Sequence, residues 1–174
     1  MARSSLTVEQ VLTLLEETPK RFAAATRGLT EAQLHTAPER GEWSANEVLA
    51  HVRACADVRG EPIKTILAEK HPTFRAVNPR TWIKETDYLD LEFRRSFRAF
   101  AKQRAELLAL LQPLPRKAWS RGATVTVWGA ALERTVLFYA DWVARHERPH
   151  VKQIEQIAKA LSAIATPHAA RDRG

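Results

Sequence analysis

Apolar residues return at intervals of three and four along most of this chain, the spacing of one buried stripe on a helix. Val8, Val11, Leu12, Leu15 and Phe22 keep that step in a first segment, from about Thr7 to Arg27, and Thr7 and Gln10 have the spacing of a capping box. Pro19 falls inside the pattern and predicts a kink or a short break, because it has no N–H to give the helix. A second segment opens on the strongest start signal in the sequence. Ser44 and Glu47 can each reach the other's backbone N–H, and Trp43 and Val48 are spaced to close over them as a hydrophobic staple. Leu49, Val52, Ala56, Ile63 and Leu67 carry its stripe to about Lys70, before Pro72.

After a Pro-containing loop from His71 to about Glu85, a third helix is predicted over Asp87 to Gln112. Leu89, Phe93, Phe97, Phe100, Leu107 and Leu111 mark its face, and Pro113 and Pro115 end it. Between Trp119 and Trp128 lies one strand-like run, Ala-Thr-Val-Thr-Val, too isolated to predict a sheet. The longest seam follows, from about Ala130 to Ile164: Leu132, Val136, Tyr139, Val143, His146, His150, Ile154, Ile157 and Leu161. The expected fold is all-α, an antiparallel four-helix bundle over residues 5–164, with a disordered polar tail over 165–174.

Composition narrows the setting. The 174 residues are 45% hydrophobic and 27% charged, as in an ordinary globular domain. No apolar run approaches a membrane span, and the N-terminal stretch does not read as a signal peptide. The single cysteine, Cys55, excludes an internal disulfide and a cysteine-based zinc finger, and a cytoplasmic location is expected. The net charge of +7 raises the question of nucleic acid. Its basic residues are interleaved with acids, as in Glu16-Glu17-Thr18-Pro19-Lys20-Arg21, and form no run that would track a phosphate backbone. DNA binding therefore stays a rival reading that requires affinity persisting near physiological salt.

The two polar positions in the seam of the last helix are both histidine. His146 and His150 are four apart, about 40° around the axis and about 6 Å along it, so both imidazoles can reach one ion. A catalytic zinc commonly takes three protein ligands, and His51, one turn into the second helix, is the third candidate. Three neutral imidazoles suit zinc, nickel, copper or ferrous iron. Packed core histidines are the alternative. Cys55, four residues after His51, could line the same cavity as a ligand or nucleophile, or be a small buried hydrophobe. His35, His71 and His168 lie in loops or the tail and receive no role. Trp43, Trp82, Trp128 and Trp142 could border a pocket, with core packing as their expected job.

Residues 146–150 also spell H-E-x-x-H, the string by which zinc proteases supply two ligands and a general base. Pro149 inside the motif, the short chain after His150 and the bundle-like segments before it all argue against a protease. Glu147 is expected in a solvent-facing salt bridge, with a role as base or as a partner of the ligands as the alternative.

Gly41-Glu42-Trp43-Ser44-Ala45-Asn46-Glu47-Val48-Leu49-Ala50-His51 resembles the W-[ST]-x-x-E-[VI]-x-x-H signature of the DinB-like (DinB/YfiT) metalloenzyme superfamily. His146-Glu147-Arg148-Pro149-His150, followed by Gln153-Ile154, resembles that family's H-x-x-x-H, and the likeness runs over about residues 5 to 162. It implies a four-helix bundle whose second helix gives one histidine and whose fourth gives two to a divalent metal, usually nickel or zinc. Carried over, those ligands are His51, His146 and His150. The resemblance further implies a metal-dependent enzyme acting on a small molecule. It would transfer a low-molecular-weight thiol, such as bacillithiol or mycothiol, to an electrophile ahead of activating water for hydrolysis. It also makes a homodimer plausible. The rival class is a non-catalytic, stress-related binding protein with a structural or vestigial metal site.

Overall fold

The computed structural model describes residues 5–164; the predicted disordered tail lies outside them. Four long helices carry the fold: α1 (Val8–Thr26), α3 (Ala45–Ala68), α5 (Phe93–Leu111) and α6 (Val136–Ile164). Two one-turn helices, α2 (Glu31–Leu34) and α4 (Pro79–Trp82), sit in the connections. So do three strands, β1 (Thr73–Arg75), β2 (Gly122–Val127) and β3 (Ala130–Thr135). Both predicted capping boxes are made: Thr7 with Gln10 starts α1, and Ser44 with Glu47 starts α3.

Side-chain contacts give the course of the chain. Leu6 and Arg21 meet Asp141 and Glu155 in the same order, so α1 and α6 run parallel. Arg53 and Asp57 meet Ser96 and Gln103, so α3 and α5 also run parallel. His51 against His146, with Arg59 over Trp142, makes α3 and α6 antiparallel. Leu15 with Arg104, and Thr26 with Arg94, make α1 and α5 antiparallel. The expected four-helix bundle is therefore present, with an up-down-down-up course in place of simple alternation. The crossover from α3 to α5 carries residues 69–92 back along the bundle, and these residues wall the pocket described below.

Three local expectations are corrected. The strand-like run does form a sheet: β2 pairs parallel with β1 and antiparallel with β3. The predicted start of the last helix, Ala130 to Thr135, is strand β3, and α6 begins at Val136. A two-residue turn joins β2 to β3, with φ of 51° at Trp128 and 86° at Gly129, the signs a type I′ hairpin requires. Helix α5 starts at Phe93, not near Asp87, because the carboxylate of Glu31 on α2 accepts from the backbone N–H groups of Phe93 and Arg94. That cap comes from a distant part of the chain, and it leaves Leu89 outside the helix and 48% exposed.

Pro19 does not interrupt α1. It leaves the Leu15 carbonyl without its helical donor, and Arg104 on α5 donates to that oxygen at 3.1 Å. The same guanidinium makes a two-pronged ion pair with Glu147 on α6, at 2.8 and 2.5 Å, with both side chains almost fully buried. Glu147 thus forms the predicted salt bridge in the core and not at the surface. Helix α6 is packed against both α1 and α3, so the face opposite its histidines is covered as well. Among the described residues no helix is long and apolar enough to cross a membrane.

Breaking this pair from one side strands a buried charge. Glu147→Gln should cost about 3–5 kcal/mol of stability in urea unfolding, and Arg104→Met with Glu147→Leu should recover a large part of that loss.

Candidate metal centre

The side chains of His51 and Cys55 leave α3 one turn apart on the same face, and those of His146 and His150 leave α6 likewise. Because α3 and α6 run antiparallel in contact, the two pairs meet. The ring centroids of His51, His146 and His150 lie 5.1, 4.9 and 4.8 Å from one another. The Nε2 atoms of His51 and His146 are 3.2 Å apart, and the Cys55 sulfur stands 3.7 and 3.8 Å from them. Among the described residues, His51, Cys55 and His146 are the group of possible ligands whose donor atoms all lie within 4.8 Å of one another.

Each ring is held by a neighbour. Trp43 meets His51 edge-on at 5.3 Å, Trp142 stacks on His146 at 4.5 Å and 11°, and Gln153 Oε1 lies 3.0 Å from His150 Nδ1. With Nδ1 on the Gln153 oxygen as a donor, the Nε2 lone pair of His150 is free to ligate. Burial, the other two imidazoles and the Arg59 charge hold the His146 pKa down at about 4. Burial also lowers that of His51, and it pushes the Cys55 thiol up to about 12. Two neutral imidazoles with their Nε2 atoms face to face can share one proton, or both lone pairs can face a cation. His146 Nδ1 is buried without a hydrogen-bond partner, so neutral imidazole is the form its surroundings tolerate. The donors of His51, Cys55 and His146 fit a divalent ion, nitrogen and sulfur in convergent positions, and His150 adds a third imidazole ring beside them.

The cluster opens into a cavity of about 760 Å³ bordered by Trp43, Glu47, Arg59, Arg80, Ile83, Leu89 and Trp142. One carboxylate pins the crossover that forms its outer wall. Asp57 accepts from Trp82 Nε1 at 3.0 Å, from the Tyr88 hydroxyl at 2.7 Å and from the Gln103 side-chain amide. Arg53 stacks on Tyr88 from below, 3.7 Å from its ring centre.

Of the residues the sequence singled out, His51, His146, His150 and Cys55 come together, and Glu147 does not. Trp43, Trp82 and Trp128 are exposed, which corrects their expected core packing, while Trp142 is half-buried and packs against the core; the buried tryptophan is Trp119. Trp128 sits 95% exposed at the hairpin tip. His35 and His71 are exposed and remote from the cluster, while His168 lies outside the described residues. Sequence reasoning missed Arg59, which lies eight residues after His51 and four after Cys55, so that its position extends the stripe they begin. Arg80 and the wall residues carry no periodic signal, because they lie in the crossover.

Comparison with known proteins places these features in context. The model of the DinB superfamily matches residues 14–154. The Bacillus subtilis (strain 168) protein YfiT, provisionally named a metal-dependent hydrolase, is 24% identical over 159 residues, covering 88% of this chain and 89% of its own. The solved structure of YfiT, described as a probable metal-dependent hydrolase with an unusual four-helix bundle topology, superposes with a TM-score of 0.74. It is 20% identical, with 93% of each chain covered.

The depressed imidazole fixes a pH dependence for metal-free protein. Between the ordinary imidazole value of 6.5 and about 4, the unfolded chain takes up a proton at residue 146 that the folded chain refuses. The urea midpoint, measured with chelator present, should therefore fall as pH drops through this window, and His146→Gln should flatten the slope.

Proposed function

The chain belongs to the DinB superfamily, and from that membership we propose that it is an enzyme dependent on a divalent metal held by His51, His146 and His150. Its reaction is the transfer of a small thiol to an electrophilic substrate. The observation that carries the reading is the convergence of three imidazole rings, 4.8–5.1 Å apart, of which His51 and His146 line a cavity large enough for a small molecule. Bound there, a divalent ion supplies Lewis-acid chemistry, which deprotonates a coordinated thiol or lowers the pKa of a water.

The chain's own residues favour the thiol. Activation of water by a metalloprotease-like route uses a carboxylate base beside it. Glu147, which the H-E-x-x-H string nominates, has both oxygens on Arg104 in the core. Glu47, at the pocket edge, is engaged at 2.7 Å by the Ser44 backbone N–H that it caps. A thiol needs no such base once coordinated. Around the histidines, Trp43 and Trp142 fix the rings, and Gln153 fixes the tautomer of His150. Arg59 and Arg80 make no ion pair with an acid among the described residues, so the cavity favours a substrate that carries a negative charge.

Hydrolysis is the second reading, favoured by the name of the Bacillus relative. Zinc and nickel are the metals best matched to the donors, with ferrous iron next.

Untagged protein should hold about one equivalent of zinc, nickel or iron per chain by elemental analysis. His146→Ala and His150→Ala should each lose it with the helical circular dichroism intact. Full metal retention in both variants would remove the three-histidine site. With the metal bound, consumption of an electrophile only when a thiol is supplied supports transfer; consumption without one transfers the assignment to hydrolysis. Protein that takes up no divalent ion would be a non-catalytic binding protein.

A further inference from the structure

We propose that Cys55 is a further donor to the same ion, beside His51, His146 and His150, with substrate entering from the cavity as an added ligand; the proposal rests on the three-histidine reading above. The atoms His51 Nε2, His146 Nε2 and Cys55 Sγ form a triangle with sides of 3.2, 3.7 and 3.8 Å. A tetrahedral ion with nitrogens at about 2.05 Å and a thiolate at about 2.3 Å holds the two nitrogens roughly 3.3 Å apart and each nitrogen roughly 3.6 Å from the sulfur. Observed and required triangles agree to about a quarter of an ångström.

The surroundings of the thiol support the same assignment. Cys55 is 3% exposed, at the inner wall of the cavity. A buried free cysteine ordinarily packs as a small hydrophobe, yet this sulfur faces two ring nitrogens. Its spacing from His51, one helical turn, is that of two ligands sharing an ion on one helix face. When the sulfur–metal bond forms, the sulfur supplies the electron pair and the thiol proton leaves to solvent through the cavity; nothing is oxidised or reduced. A thiolate among imidazoles also makes the site softer, which favours retention of zinc over manganese or magnesium.

X-ray absorption at the zinc edge, on untagged full-length protein loaded with zinc, tests this. The chain has one cysteine and one methionine, the latter at position 1, so Cys55 is its sole thiolate. The expected spectrum has one sulfur at about 2.3 Å beside nitrogens at about 2.0–2.1 Å. Cys55→Ser should lose the sulfur shell while keeping zinc on the histidines. The wild-type spectrum decides by itself if that variant does not fold. Stoichiometric zinc with a nitrogen and oxygen shell alone would overturn the Cys55 assignment and leave the three-histidine site standing. A chain that binds no zinc, nickel, cobalt or iron would overturn both.

Discussion

The buried pair of Arg104 and Glu147 is the interaction on which the arrangement of the helices turns. Its guanidinium reaches three elements at once: the Glu147 carboxylate on α6, the Leu15 carbonyl on α1 and its own helix α5. A buried ion pair contributes little net stability over apolar residues of the same volume, because desolvation cancels most of the attraction. What it does enforce is position, since a displacement of either helix would strand a charge in the core. Glu147 is the residue next to His146, about 100° around the same helix. Fixing Glu147 against α1 and α5 therefore fixes the rotation of α6, and with it the direction in which His146 and His150 face α3.

That constraint explains the tolerance of Pro19 inside a long helix. A helix-interior proline normally costs about 3 kcal/mol, part of it an unsatisfied carbonyl. At Pro19 the carbonyl is satisfied by the same arginine that holds Glu147, so the defect in α1 becomes the socket for the cross-link. The sequence carried both halves of this device, but nothing local joins residue 19 to residue 104.

The elements legible from sequence were those whose signals are local. Thr7 with Gln10, and Ser44 with Glu47, announce their helices because a cap is complete within four residues. The stripe through His146 and His150 announces a shared face, because helical periodicity needs no tertiary partner. What escaped notice depended on distant chain. The start of α5 is set by Glu31, sixty-odd residues upstream. Strand β3 continues the apolar spacing of the helix that follows it, and its hairpin turn has Trp128 where an asparagine or aspartate would have given the signal. The parallel neighbours, and hence the crossover that walls the cavity, cannot be read from four amphipathic stripes, since up-down-up-down and up-down-down-up bundles share the same pattern.

The same distinction governs the chemistry. H-E-x-x-H is a useful string only where the glutamate shares the metal's open side, as on a helix bordering a cleft. Here α6 is covered on both flanks, and the glutamate between the two histidines is taken by the core as a structural anion. The string survives while the base it denotes is removed from the site. On the proposed reading, a nucleophile in this cavity loses its proton to a ligand bond or to solvent, a demand that a thiol, with its lower pKa, meets more easily than water. Placing the tryptophans, the arginines and the sulfur of Cys55 around the histidines is consistent with that demand: the chain supplies shape, charge and donors, and leaves proton removal to the bond that forms.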